Sequence, residues 1–326
     1  MKISIAGTGK IAEEVMRMLH NDFRGEIEVT GVYAREQSVE HAIDLCQAYA
    51  PTGFVYTDYQ RMLQEAEADF VYIANANHVH HEYAMQAMLA GRNVIVEKPI
   101  AVNRVQTEEL IDTAIQQCVY CLPAFSLLYM PLFHKLQEVL PQIGTIRMVH
   151  CNYAQRSSRY DRYLMGELTP VFDPSMAGGT LADLNVYNLC FAIALFGPPR
   201  TIRYDCNRGF NGIDTSGTLL CHYPTSIAVL SASKDSDGLS YGCIQGEDGY
   251  IEVQGSVSIL DSFTLHLNGK EPVRYESESG RHRLSYEFRE FFNLIENRKE
   301  CHIVIPYVTR IMQEIAIAQE RMQQFS

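Results

Sequence analysis

The chain has 326 residues, long for one hydrophobic core, so two domains are expected. Its 47% apolar and 20% charged content is that of a globular protein, without low-complexity tracts or internal repeats. A net charge of -12 argues against nucleic acid or an anionic membrane as the partner.

The first strand begins at Lys2 with no charged leader, and the longest apolar stretch, near Cys190 to Gly197, is short for a membrane span. Nine cysteines without framework spacing suggest a reducing compartment, so a cytoplasmic location is expected. Cys118-x-x-Cys121 lacks a second pair for zinc, and His78, His80 and His81 have only Glu82 nearby, so no metal site is expected.

In chain order, Lys2 to Ala6 is a strand that runs into Gly7-Thr8-Gly9-Lys10-Ile11-Ala12, followed by Ile11, Val15, Met18 and Leu19 at helical spacing. Strand, glycine turn and helix form the context of a dinucleotide fingerprint. Gly7 permits the turn, Gly9 lets the backbone approach a pyrophosphate, and Ala12 lets helix pack on strand. The helix start, with Lys10 and Ile11, offers amides and a dipole to phosphate. A second strand, Ile27 to Tyr33, ends at Ala34-Arg35. A small residue followed by a cation suits a 2′-phosphate, which favours NADP over NAD; a solvated Arg35 beside Glu36, with NAD, is the alternative.

Further strands are expected at Gly53 to Thr57 and Phe70 to Ala74, around a helix marked by Val39, Ala42, Ile43 and Cys46. The fourth strand ends at Asn75-Ala76-Asn77-His78-Val79-His80, where polar groups face a cofactor crevice or Asn77 caps a helix carrying Val79, Tyr83, Ala87 and Ala90. Val94 to Val96 is a buried strand stopping at Glu97-Lys98-Pro99, a strand end suited to delivering Lys98 to a site. On position alone Lys98 is as well read as a solvated loop residue. Asn103 and Gln106 cap a helix whose inner face is Ile111, Ala114, Ile115 and Cys118, and Val119 to Ala124 is a sixth strand.

The pattern then changes. A helix near Leu132 to Leu140 and a strand from Thr145 to Tyr153 lead to period-2 segments, with turns at Asn211-Gly212, Asp237-Gly238, Asp248-Gly249 and Asn268-Gly269. The fold class is therefore α/β: a parallel-sheet Rossmann domain over 1–122, then an α+β domain over 123–326 with a large, mostly antiparallel open sheet. Two helices close the chain, Leu284 to Ile295 and Val308 to Met322. If Thr180 starts a helix, Asp183 and Tyr187 share a face beside Gly178 and Gly179. That pair is either catalytic or a half-buried couple whose members satisfy each other.

Together the glycine fingerprint, Asn77-x-x-His80, Glu97-Lys98-Pro99 and the segment with Asp183 and Tyr187 resemble the glucose-fructose oxidoreductase, inositol dehydrogenase and rhizopine catabolism (Gfo/Idh/MocA) family over essentially the whole chain. The resemblance implies NAD(P)-dependent hydride transfer on a sugar, polyol or related alcohol, and a homodimer or homotetramer formed through the sheet face. It implies Lys98 near the nicotinamide and substrate, often with a cis Lys98-Pro99 bond, and Asp183 with residue 187 completing the site. Cofactor contacts are then expected from Gly7, Thr8, Gly9, Lys10, Ile11, Ala34, Arg35, Asn75, Asn77, His80, Glu97 and Lys98.

The expected chemistry gives the proton to Tyr187, tuned by Lys98, while Asp183 orients substrate or holds Lys98 charged and His80 touches nicotinamide or a substrate hydroxyl. A catalytically silent, cofactor-sensing regulator of the same fold is the alternative. The chain departs from the family pattern at Tyr187, where many members carry His, and at Ala76, Ala177 and Asn185, where proline, glycine and glycine are usual.

Overall fold

The computed structural model describes residues 1–277 and 281–297, which form two compact units. In the first, strands and helices alternate: β1 Lys2–Ala6, α1 Lys10–Asp22, β2 Glu28–Tyr33, α2 Val39–Tyr49, β3 Phe54–Tyr56, α3 Tyr59–Glu65, β4 Phe70–Ile73, α4 His80–Leu89, β5 Asn93–Glu97, α5 Arg104–Gln117 and β6 Cys121–Ala124. The strands pair in parallel in the order β3-β2-β1-β4-β5-β6. Continuous apolar runs such as Phe70–Ile73 and Val94–Val96 are fully buried, as a sheet with both faces covered requires. The order reverses between β1 and β4, and the carboxyl ends of β1, β4 and β5 meet at that switch point, where open α/β sheets bind ligands.

Helix faces were less legible than strands. Ile115 and Cys118, expected inside α5, are exposed, and Thr107, Leu110, Thr113 and Ala114 face inward. The Thr107 hydroxyl donates to Asn103 O at 3.0 Å, so a polar residue is buried at little cost and the face turns away from the hydropathy estimate. Asn103 does cap α5, its side chain accepting from Gln106 N–H at 3.0 Å. Asn77, read either as a crevice residue or as the cap of α4, opens a single 3-10 turn over Asn77–Val79, and among the described residues no side chain caps α4 at His80.

The second unit contains α6 Pro131–Val139, β7 Ile146–Ala154, α7 Tyr160–Leu164, α8 Val186–Phe196, β8 Thr201–Arg208, β9 Asp214–His222, β10 Ile227–Ser233, β11 Tyr241–Gly246, β12 Gly249–Gln254, β13 Ser262–Leu267 and β14 Val273–Glu276. Its sheet runs β14-β13-β12-β11-β7-β10-β9-β8, antiparallel except for the β7–β10 pair. Three of the expected turns join hairpins. Asp237-Gly238 does not: it lies between β10 and β11, which flank β7, so this loop crosses over β7, where Leu239 O accepts from Asn152 Nδ2 at 2.7 Å.

By length and composition the segment Pro174–Phe196 is able to cross a membrane, which the sequence reading did not anticipate. Its most apolar window is 67% buried inside the protein, the pattern of a core helix.

The last described helix, α9 Arg283–Glu296, corrects the domain plan. It belongs to the first unit, which also takes residues 1–124, so the expected second domain is not one continuous segment. Phe292 meets Phe23 edge-on at 5.6 Å, Phe288 lies 5.7 Å from Tyr72, and Tyr120 Oη donates to Leu294 O at 3.3 Å. An amphipathic period reveals that a helix has an apolar face, not which core receives it. The expected helix at Val308 to Met322 lies outside the described residues, as does the side chain of Ile295.

Candidate active site

In the first unit the glycine turn is dictated by close backbone approach. Gly7 has φ +124°, and a Cβ there would stand 2.7 Å from Ala74 O, so a side chain would force β1 and β4 apart. At Gly9 a Cβ would meet nothing within 4 Å, leaving the start of α1 open. The first bond of α1 runs from Glu13 N–H to Gly9 O at 3.0 Å, so the amides of Lys10, Ile11 and Ala12 precede it without an intrahelical acceptor. Among the described residues no side chain caps this end, which suits it to an anion.

At the end of β2, Ala34 is buried and Arg35 exposed. Behind them stands a tyrosine cluster that sequence reading missed: Tyr33 and Tyr83 share a hydroxyl contact of 3.0 Å, and Tyr59 Oη donates to Tyr83 O at 3.0 Å. Burial pushes the Tyr59 and Tyr83 phenols well above the usual range, so they serve as neutral struts. Their separation in the chain leaves no local signal.

The ends of β4 and β5 revise two expected roles. His80 is 1% exposed, with Nδ1 2.8 Å from Pro99 O and Nε2 3.0 Å from Asn75 O. Both nitrogens face backbone carbonyls, so His80 ties the two strand-end loops together. Burial pushes its pKa down, against the pull of those carbonyls. Glu97 also turns inward: Tyr72 Oη donates to Oε1 at 2.5 Å and the Lys98 amide to Oε2 at 3.1 Å. Its carboxylate therefore supports the strand end.

Burial pushes Glu97 up, and it pushes Glu287 of α9 further, with the Glu97 charge adding to it. Among the described residues both oxygens of Glu287 lack a hydrogen-bond partner, which fits a carboxyl held neutral.

Lys98 is half-buried, and the Lys98-Pro99 bond is cis, as the resemblance implied. Asn75 Oδ1 is buried beside this strand end without a hydrogen-bond partner among the described residues, with Asn77 half-buried next to it. The bare amides of α1 and the orphaned Asn75 oxygen are groups that a dinucleotide would satisfy, so the residues present fit that cofactor.

In the second unit two glycines again mark close approach. A Cβ at Gly178 would stand 2.5 Å from Pro170 O, and one at Gly179, where φ is +105°, would stand 2.0 Å from Asp214 Oδ1. Ala177 holds φ +53°, a left-handed position that glycine fills at lower cost. Asp214 anchors the segment, with Oδ2 accepting from Leu181 N–H at 2.7 Å and Tyr204 Oη at 2.6 Å.

An α-helix was expected from Thr180. Leu181–Asn185 is instead a π-helical turn, and α8 follows from Val186. Asn185, where the family pattern has glycine, explains the wider turn: its Nδ2 donates to Leu230 O at 3.0 Å. Asn188 Nδ2 donates to Asn185 Oδ1 and to Ser231 O, both at 2.9 Å. These bonds lock the turn onto β10, and such turns recur at functional sites.

Asp183 and Tyr187, separated by four positions, bracket the end of that turn, both half-buried. The Tyr187 ring lies 6.4 Å from Phe125 and 6.3 Å from Tyr153. Asp183 Oδ2 pairs with Lys234 Nζ, a residue the sequence reading missed. Its signal was there to find: β10 is a strand of apolar and small residues that stops at Lys234-Asp235, just as β5 stops at Glu97-Lys98.

The residues weighed for metal or redox duty have these surroundings. His81 pairs with Glu109 at 2.8 Å, His78 is exposed, Cys118 is an exposed left-handed cap of α5, and burial raises Cys121 to about 12.

Comparison with known proteins agrees with both halves of the chain. Residues 1–125 match the model of the oxidoreductase family with an NAD-binding Rossmann fold, and residues 133–256 match the GFO/IDH/MocA C-terminal domain. The scyllo-inositol 2-dehydrogenase (NADP(+)) IolU of Bacillus subtilis is 32% identical over 311 residues, covering 92% of this chain and 89% of that protein. The trans-1,2-dihydrobenzene-1,2-diol dehydrogenase of Xenopus tropicalis is 25% identical over 303 residues, covering 88% and 86%. Among solved structures, the 3-ketoreductase KijD10 of Actinomadura kijaniata, in complex with NADP and TDP-benzene, shares the fold with a TM-score of 0.86 at 16% identity, covering 99% and 97%. With a fingerprint turn on one sheet, the Asp183–Tyr187 turn on the other and relatives spanning nearly its full length, the chain belongs to the Gfo/Idh/MocA family of oxidoreductases.

Proposed function

We propose that the protein is an NAD(P)-dependent dehydrogenase or reductase that acts on a CH–OH group of a sugar, polyol or related small alcohol, with NADP preferred. The observation that carries this reading is the full-length similarity to a scyllo-inositol 2-dehydrogenase that uses NADP(+), together with the presence of Lys98, Asp183 and Tyr187 in the sequence. When bound, the nicotinamide supplies or accepts the hydride. Tyr187 exchanges the proton of the substrate oxygen. A phenol in water titrates near about 10, so exchange at neutral pH needs a cation to favour the phenolate, and Lys98 is assigned that task. Asp183 accepts a hydrogen bond from a substrate hydroxyl and so sets which carbon presents its hydrogen. Gly7, Thr8, Gly9, Lys10, Ile11, Asn75 and Asn77 hold the cofactor.

Cofactor choice rests on Ala34 and Arg35. Burial of the small Ala34 and exposure of the Arg35 cation support room and charge for a 2′-phosphate. Arg35→Ala is expected to weaken NADP binding by about 1.5–3 kcal/mol and NAD binding far less. Equal losses for both cofactors in a fluorescence titration would remove Arg35 from the site.

The reading includes a homodimer or larger assembly formed through the second sheet, in the cytoplasm. Along β7, β10 and β11 the inward Val149, Leu230 and Ile244 are buried, while Met148, His150, Val229 and Cys243 between them stay partly exposed. A broad, partly apolar sheet face of that kind favours a second copy. Sedimentation at micromolar concentration is expected to give at least twice 37.0 kDa, and a monomer alone would contradict the assembly. The cytoplasmic assignment draws support from the free thiols of Cys118, Cys121, Cys206 and Cys243.

A further inference from the structure

Lys234 is buried more deeply than an ammonium group normally tolerates. Its side chain is 5% exposed, against 28% for Asp183, whose Oδ2 it contacts. Burying a charge pair is costly and is a poor way to gain stability, so a pair retained this way points to another use. The backbone of Lys234 is fixed on both sides: its N–H donates to Thr215 O at 2.8 Å, and its carbonyl accepts from Ser157 N–H at 2.9 Å. The neighbouring Asp235 takes hydrogen bonds from Thr215 and Ser216, both at 2.8 Å, and from Ser236 at 2.9 Å, while the Lys234 ammonium goes to Asp183. Nζ also stands 5.7 Å from the ring centre of Phe172, which is itself stacked on Tyr163.

The turn that carries Asp183 and the start of α8 are thus attached to β10 and its extension at three points: Asn185 at Leu230 O, Asn188 at Ser231 O and Asp183 at Lys234. The two asparagines hold the backbone of the turn. Lys234 holds the carboxylate. A cation fixed against one oxygen selects a rotamer, and it favours the ionised form, which accepts hydrogen bonds and has no proton to give.

We propose that Lys234 is a positioning residue that holds the Asp183 carboxylate ionised and in a single orientation, so that Asp183 serves as the acceptor for a substrate hydroxyl and never as the proton carrier. This rests on the assignment of Asp183 to the substrate, and the test separates the two.

The variants are Lys234→Met, Lys234→Gln, Lys234→Arg, Asp183→Asn and the Lys234→Met/Asp183→Asn double. They are assayed with NADP and scyllo-inositol, myo-inositol, glucose and xylose, alongside carboxyl NMR of protein labelled at the aspartate side-chain carbon. Lys234→Met is expected to lower kcat/KM about 100-fold through a misplaced acceptor, with KM for NADP unchanged, and Lys234→Arg to recover most of it. Lys234→Gln, which keeps a donor but no charge, should show the same defect and replaces Lys234→Met if that variant does not fold. In the Asp183→Asn background, removing Lys234 should cost no more than about threefold further, because the two act as a unit. The Asp183 resonance, identified by its loss in Asp183→Asn, should titrate at higher pH in Lys234→Gln than in wild type and be restored in Lys234→Arg, a readout that needs no turnover.

Damaging Asp183→Asn with Lys234→Met and Lys234→Gln within about threefold of wild type would overturn this inference alone, since a displaced group costs far more. An Asp183 resonance that titrates identically in wild type and Lys234→Gln would do the same even without a known substrate. Wild-type activity in Asp183→Asn would instead remove Asp183 from the mechanism and this inference with it.

Discussion

Tyr187→Phe is expected to lower kcat by about 100-fold to 10,000-fold, the usual contribution of a general acid or base, with cofactor affinity near wild type. The substitution keeps the ring between Phe125 and Tyr153 and deletes only the hydroxyl. Folding should therefore be preserved, and the loss read as chemistry. Melting curves and steady-state rates on the same preparations make the distinction. If Tyr187→Phe kept more than about a third of wild-type kcat on its true substrate, the proton would have to pass through Lys98, because a lost general acid or base costs far more. His80 is no alternative carrier, since both its nitrogens face the Pro99 and Asn75 carbonyls.

Lys98→Met should be at least as damaging. The substitution retains much of the stem that lies half-buried at the end of β5 but removes the charge that tunes a phenol toward neutral pH. Because the two residues are assigned to one proton transfer, their losses should not add: once either is gone, removing the other costs little more. Single-turnover rates for both singles and the double measure this directly. Multiplying losses would mean that Lys98 and Tyr187 serve separate steps.

Local features were readable from sequence and tertiary ones were not. The turn through Gly7 and Gly9 was legible because strand, glycine and helix signals are adjacent and share one physical cause, close backbone approach. Lys98 was legible because a β-branched run that halts at a charge marks a strand end. Side-chain direction was not. Glu97 and His80 sit in the same loops as Lys98, yet one turns to Tyr72 and the other to two carbonyls, choices made by partners distant in the chain.

The same limit explains the misassigned α9, whose apolar face could suit either core until Phe23 and Tyr72 are known to receive it. The π turn at Leu181–Asn185 depends on Asn185 reaching β10, a contact with no sequence period. Lys234 was missed as well. Its strand carried the same signal as β5, but the Asp183 that it meets lies 51 positions away in the chain, a pairing with no local mark.

The central claim is that Lys98, Asp183 and Tyr187 carry alcohol–carbonyl redox chemistry on a bound nicotinamide. Its most direct test follows absorbance at the reduced-nicotinamide band as purified protein meets NADP or NAD with inositols, sugars and other polyols. The expected result is substrate-dependent, saturable reduction by at least one polyol, faster with NADP, and abolished in Lys98→Met. Saturable binding of NADP without turnover on any alcohol, or on the matching ketones with NADPH, would contradict it and identify a cofactor-sensing protein on an enzyme's fold.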